Sequence, residues 1–236
     1  MKKVTVVTGA DRGVGLALCE KLLEEGWQVF AGQFMPEWTE LNDLSQKYPN
    51  MLIMVPLDIA SLESVEKAAK IVAENTDHVD MLINNAGIYG IEGDIREGLD
   101  FSLSQKIYDV NALGPVRMVQ RFLPLMENGM RRLCFVSSEA GSISNCQRDK
   151  VFGYCMSKAA LNMAVKTMFN DLRPKGYTFR LYHPGWVRSY MSGTKATEGD
   201  IEPEESAAAA VPFFTGSDYC EDRLVMLDNK GIEWAF

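Results

Sequence analysis

The sequence predicts an α/β protein: one doubly wound parallel sheet of about seven strands with helices on both faces. Three observations carry this expectation. Short β-branched runs alternate with helical stretches along the whole chain. A glycine-rich turn, Gly9-Ala-Asp-Arg-Gly13-Val-Gly15, follows the first run directly. The chain has 236 residues, 47% of them hydrophobic, which is enough for a single buried core spanning residues 1–236.

Lys3–Thr8 reads as the first strand, because an unbroken β-branched run suits a strand buried on both faces. Val14, Ala17, Leu18, Lys21 and Leu22 recur at helical spacing and stop near Gly26. Gln28–Gly32 is the second strand, Glu37–Tyr48 after Pro36 a charged helix, and Met51–Leu57 the third strand. Ser61 caps a helix with Val65, Ala68, Ala69 and Val72 on one face. Val79–Ile83 and Leu133–Ser137 are the fourth and fifth strands, with helical stretches over Phe101–Glu127 between them. A long helix runs from Tyr154 to Arg173 and ends at Pro174 and Gly176. Thr178–Tyr182 and Leu224–Leu227 complete the strands, and Ala207–Ala210 continues a helix opened by Pro203. Ser192–Glu202, small and polar, is a candidate mobile substrate lid.

Acidic residues (32) outnumber basic ones (24), giving a net charge of −8. This argues against nucleic acid or an anionic membrane as a partner. The longest apolar runs are too short for a membrane span, and the N-terminal run stops at Thr8-Gly9, so a cytoplasmic protein is expected. The five cysteines, Cys19, Cys134, Cys146, Cys155 and Cys220, form no C-x-x-C pair and read as reduced thiols behaving as small hydrophobes. His78 reads as solvent-exposed and His183 as packing beside Pro184, and no metal site is expected.

The glycine turn lets backbone approach backbone and ligand, and the helix after it presents free N–H groups and a positive dipole end. Gly9, Asp11, Arg12, Gly13, Val14 and Gly15 are therefore candidate contacts for a dinucleotide pyrophosphate and its surroundings. Five motifs then stand in order: Thr8-Gly-x-x-x-Gly-x-Gly15, Asn84-Asn85-Ala86-Gly87, Ser137-Ser138, Tyr154-x-x-x-Lys158 and Pro184-Gly185. Together they resemble the short-chain dehydrogenase/reductase family over nearly the whole chain. Within it, His183-Pro-Gly-Trp-Val187, Pro203-Glu-Glu-Ser206 and Leu227-Asp-Asn-Lys-Gly-Ile-Glu-Trp234 look like the sniffer-type and C-factor-like carbonyl reductases.

The resemblance implies a Rossmann-type domain and an oxidoreductase passing a hydride between a nicotinamide cofactor and a carbonyl or alcohol. It implies Tyr154 as general acid/base, Lys158 as its partner and holder of the nicotinamide ribose, and Ser138 (or its neighbour Ser137) on the substrate oxygen. Asn111, in Val110-Asn-Ala-Leu-Gly114, would order a relay water. It further implies cofactor contacts at Asp58, Asn85, Gly87, Pro184, Val187 and Ser189. The segment Glu139–Gly153 is slightly long for the family and is expected to shape the substrate pocket.

The tyrosine–lysine spacing also makes chemical sense by itself. Residues four apart share a helix face. An ammonium about 6 Å from a phenol, at an effective dielectric near 20, favours the phenolate by roughly 2.8 kcal/mol. That equals a pKa depression of about 2 units from the ordinary value of about 10. At the end of the second strand stand Gln33 and Phe34, neither acidic nor basic. Arg12 suits a 2′-phosphate while Asp11 opposes one, so NADP is favoured and NAD stays open. Two other readings remain: a specialised 3-oxoacyl or hydroxysteroid reductase, and a dinucleotide-sensing protein using the same fold. Pairing through the helices around Phe101–Glu127 and Tyr154–Arg173 would give a homodimer or tetramer.

Overall fold

A computed structural model describes residues 2–191, 193–219 and 221–236. Its central sheet has eight strands: β1 Val4–Val7, β2 Gln28–Gln33, β3 Leu52–Pro56, β4 Met81–Asn84, β7 Arg132–Val136, β8 Thr178–His183, β9 Met226–Asp228 and β10 Glu233–Trp234. The intervening β5 (Gly93–Asp94) and β6 (Gly98–Leu99) form a separate small hairpin. The sheet order is β10-β9-β8-β7-β4-β1-β2-β3, parallel except for β10. Chain progression therefore reverses between β1 and β4, and the crevice outside the carboxyl ends of those two strands is where a doubly wound sheet receives ligands.

Alternate residues along each strand face opposite helical layers. Val4, Val6, Phe30, Leu82, Leu133 and Phe135 pack under α3 (Leu62–Asn75), α5 (Gly114–Met126) and α6 (Phe152–Leu172). Val7, Val29, Ala31, Ile83, Cys134 and Tyr182 pack under α1 (Gly13–Glu24), α2 (Glu40–Lys47) and α7 (Pro203–Thr215). This two-sided burial explains why the strands read as continuous apolar runs. The C-terminal carbonyls of α7 face two buried arginines. Arg180 donates to Phe213 O at 2.9 Å and Arg132 to Phe214 O at 2.6 Å, while Arg180 also pairs with Glu221 at 2.7 Å.

Most expected elements stand within a few residues of their assigned bounds, and Ser61 does cap α3, accepting from Ser64 N at 3.3 Å. Several details differ. The helical region after residue 100 is α4 (Phe101–Tyr108), a π turn over Asp109–Leu113, and then α5. The last parallel strand is Met226–Asp228, and the two-residue β10 behind it makes the eighth. So short a strand leaves no alternation to detect; it is fixed by Asp228, which accepts Trp234 Nε1 at 3.1 Å. His78 is buried, contrary to expectation. Its Nδ1 lies 2.7 Å from Asp77, and its Nε2 faces Asp80, whose carboxylate also ties Val4 N to Met130 N. Cys19 and Cys134 are buried as small hydrophobes, but Cys146 is exposed and Cys155 half-buried. Cys220 lies outside the described residues. No described helix is long and apolar enough to cross a membrane.

Candidate active site

The nucleotide side of the crevice is built by strand ends gripping one another. Thr8 Oγ1 accepts the backbone N–H groups of Asn85 and Ala86, each at 3.0 Å, and Asn85 Nδ2 donates back to Thr8 O and Gly9 O. Gly9 has φ +63°, and a Cβ there would meet Ala86 Cα at 2.8 Å. A Cβ on Gly15 would collide with Gly9 O and lie 2.5 Å from Asn85 Nδ2. Both positions need glycine because backbone passes backbone there. The first hydrogen bond of α1 runs from Leu16 N to Arg12 O at 3.4 Å, so the amides of residues 13–15 stay outside the helical ladder. These features fit a dinucleotide pyrophosphate.

Asp11, expected to oppose a 2′-phosphate, has its carboxylate tied to backbone. It is buried and accepts from Phe34 N at 3.0 Å and Met35 N at 2.9 Å, folding the chain after β2 over the turn. The Arg12 guanidinium lies over Trp38, 4.3 Å from the ring centroid, with Tyr190 at 5.8 Å. Trp38 and Tyr190 meet edge to face at 5.0 Å, so Tyr190 belongs to this side of the cleft. The described part of the expected lid segment, Ser192–Glu202, is tied back to the chain before it. Val187 bridges Ile201, Arg188 N donates to Ile201 O at 2.9 Å, and Glu202 pairs with Arg188 and Lys195. Ser192 itself lies outside the described residues. Ser189 reaches back towards Gly13. Asp58 closes the turn into α3, accepting from Ala60 N at 2.9 Å.

On the other side, four of the candidates converge. Tyr154 and Lys158 lie on the buried face of α6, with the Lys158 ammonium 5.8 Å from the Tyr154 ring centroid and donating to Val136 O at 3.0 Å. Ser138 donates to Glu139 Oε2 at 2.6 Å and accepts from Ala140 N at 3.1 Å, and it acts on the Tyr154 phenol, lowering its pKa. Ser137 instead donates to Asn162 Oδ1 at 2.6 Å within the core, so Ser138 is the serine facing the phenol. Asn111 occupies the π turn. It accepts from Ile88 N at 2.8 Å and donates to Ile88 O and to Ser157 Oγ. The π turn aims this side chain at the segment after β4, beside Gly87 and Lys158.

The electrostatics depart from the spacing argument. The ammonium sits at the expected distance, yet burial pushes the Tyr154 phenol up to about 12, only partly offset by Ser138. The same burial pushes Lys158 down to about 8. Spacing sets distance, but dry surroundings disfavour both charged forms. Burial likewise lowers His183, which lies edge-on to Trp234 at 5.2 Å and leaves Nδ1 without a hydrogen-bond partner among the described residues. A cavity of about 190 Å³, lined by Tyr89, Ile91 and Arg148–Val151, opens nearby, and Tyr89 meets Tyr154 edge to face at 5.3 Å. Trp186 and Met191 are exposed and line no part of it. Sequence reasoning named Thr8 only as the start of the glycine motif and Glu139 only as the start of a pocket-shaping segment, and it gave Tyr89 no role. Among the described residues no three His, Cys, Asp or Glu gather into a metal site.

Fold and crevice together define a dinucleotide-binding α/β oxidoreductase. The short chain dehydrogenase family profile matches residues 3–200, and the chain belongs to the short-chain dehydrogenase/reductase family of NAD(P)-dependent oxidoreductases. An uncharacterized oxidoreductase of Schizosaccharomyces pombe is 33% identical over 96% of this chain and 90% of its own length. C-signal of Myxococcus xanthus is 44% identical over 52% of this chain and 74% of its own. The NADPH-bound carbonyl reductase from chicken fatty liver superposes with TM-score 0.87 at 30% identity, covering 100% of this chain and 99% of that one.

Proposed function

We propose that the chain is an NADPH-dependent carbonyl reductase in which Tyr154 protonates the carbonyl oxygen as hydride reaches the carbon. One observation carries this reading: Ser138, Tyr154 and Lys158 meet, dry, at the carboxyl edge of the sheet beside the glycine turn. When bound, the reduced nicotinamide supplies the hydride. Tyr154 supplies the proton; a phenol raised to about 12 is the acid form throughout the physiological range. Lys158 and Asn111 hold the floor of the site through Val136 O, Ile88 and Ser157.

The preference for NADPH rests on three features: Arg12 held against Trp38, Asp11 turned onto backbone amides, and Gln33 where an acidic residue would repel a 2′-phosphate. The chicken structure holds NADPH, which supports the same choice. The cavity wall of Tyr89, Ile91 and Val151 suits an apolar aldehyde or ketone. Binding titration with NADPH and NADH, followed by a panel of aldehydes and diones, tests the reading. Tyr154→Phe should lower kcat by about 10²–10⁴-fold while nucleotide affinity stays within a few-fold. A variant retaining most of its turnover would falsify the assignment.

A further inference from the structure

Two neighbours in the glycine turn, Asp11 and Arg12, hold the same segment by different means. The Asp11 carboxylate accepts Phe34 N at 3.0 Å and Met35 N at 2.9 Å, which draws the chain leaving β2 over the turn. Trp38 N then donates to Met35 O at 3.1 Å, and this bend brings the indole back to Arg12. The guanidinium carbon of Arg12 stands 4.3 Å from the Trp38 ring centroid and 5.8 Å from that of Tyr190. The two rings brace each other edge to face at 5.0 Å. Trp38 comes from the segment between β2 and α2, and Tyr190 from the segment between β8 and α7, so distant stretches of chain converge on one guanidinium.

Contact between a cation and a ring face needs no hydrogen-bond acceptor. Among the described residues the Arg12 side chain donates no hydrogen bond and pairs with no carboxylate, although Glu20, Glu40 and Glu204 border the same cleft. Its N–H fork is left for an acceptor from outside the chain. The adenosine ribose of a dinucleotide falls where the chain leaves the second strand, so a phosphate on its 2′-oxygen would meet that fork. A free arginine loses many rotamers on binding, whereas one already seated against two rings has few left to lose. Resting on the NADPH reading above, we propose that Trp38, braced by Tyr190, is a positioning residue that makes Arg12 a pre-set reader of the 2′-phosphate. Trp38 touches no phosphate in this role and acts only through Arg12. Nucleotide choice then depends on an aromatic residue beyond β2, and not on a cation at the strand end, where Gln33 and Phe34 carry no charge.

The test compares ligands with and without the 2′-phosphate. Affinities for NADPH, NADH, adenosine 2′,5′-bisphosphate and AMP are measured for the wild type, Trp38→Leu, Trp38→Phe, Tyr190→Leu, Arg12→Met and the Arg12→Met/Trp38→Leu double variant. Trp38→Leu should weaken NADPH and the bisphosphate by about three- to tenfold, the range for freeing one rotamer-rich side chain, and leave NADH and AMP within about twofold. Trp38→Phe, which keeps a ring face, should recover most of that loss, and Tyr190→Leu should act in the same direction by less. In the Arg12→Met background, adding Trp38→Leu should change no affinity by more than about twofold, because nothing remains to be positioned. Equal losses for ligands with and without the 2′-phosphate, or a full Trp38→Leu loss in the Arg12→Met background, overturn the proposal. If Trp38→Leu does not fold, Tyr190→Leu decides, and a loss not confined to the 2′-phosphate ligands counts against the role. A wild type that binds NADH as well as NADPH sinks the nucleotide reading and this proposal together. A wild-type preference for NADPH that survives Trp38→Leu sinks the proposal alone.

Discussion

The two walls of the cleft are made differently. On the nucleotide side, Thr8, Gly9, Gly15 and Asn85 hold one another through backbone groups, and no glycine there can change without moving main chain. On the substrate side, Ser138, Glu139, Arg148, Tyr89 and Tyr154 meet through side chains, and the loop between Gly141 and Val151 presents exposed residues such as Ile143 and Cys146. A backbone-built wall tolerates one ligand shape. A side-chain-built wall can be re-lined without disturbing the fold, which is where substrate choice within one fold can vary.

The largest expected effect breaks the first wall. Thr8→Val keeps the shape but removes the oxygen that accepts both Asn85 N–H and Ala86 N–H. Two amides lose their acceptor, at about 1–3 kcal/mol each. Urea unfolding should show a loss of several kcal/mol, and nucleotide affinity should fall with it. A loss under about 1 kcal/mol would mean the strand ends do not depend on this grip.

On the opposite wall, the buried lysine gives a pH signature. Lys158 binds its proton up to about pH 8 in the folded chain, against an ordinary value of 10.5. Below 8 both states are protonated. Between 8 and 10.5 the unfolded chain holds a proton the folded chain has lost, so unfolding free energy rises with pH across that window. Relative to Lys158→Met, the wild type should gain stability there, by about 3 kcal/mol at most. Denaturant titrations at several pH values measure the difference, and a flat difference removes the claim that this ammonium is dry.

How far each wall was legible in the sequence follows from how it is built. Gly9, Gly13 and Gly15 were readable because chain geometry demands their residue type locally. The Tyr154–Lys158 separation was readable because helix periodicity sets it. The phenol's raised pKa was not, because its burial depends on neighbours such as Tyr89, distant in sequence. His78 was misjudged for the same reason: its burial is set by how the β1 and β4 ends meet Met130 around Asp80. The π turn at Asn111 escaped notice because no residue type in Asp109–Leu113 marks an i→i+5 turn.

Arg12 belongs to the nucleotide wall, against Trp38 from the chain after β2 and near Tyr190. Arg12→Met should weaken NADPH binding about tenfold, roughly 1.4 kcal/mol, and leave NADH within twofold. Equal losses for both nucleotides would mean the guanidinium only packs against Trp38 and reads no phosphate.

The smallest expected effect is the one that most sharpens the contrast. Ile143 is 81% exposed on the substrate-side loop, so its side chain has little burial to lose. Ile143→Ser should therefore change stability by no more than about 0.5 kcal/mol. Its effect should fall on KM for bulky apolar carbonyls, with kcat and nucleotide affinity unchanged, because the residue stands exposed on the loop that carries Arg148. A matching fall in kcat would show that this loop transmits its conformation through Arg148 to Glu139 beside Ser138. The substrate wall would then be as coupled internally as the glycine wall, through side chains instead of backbone.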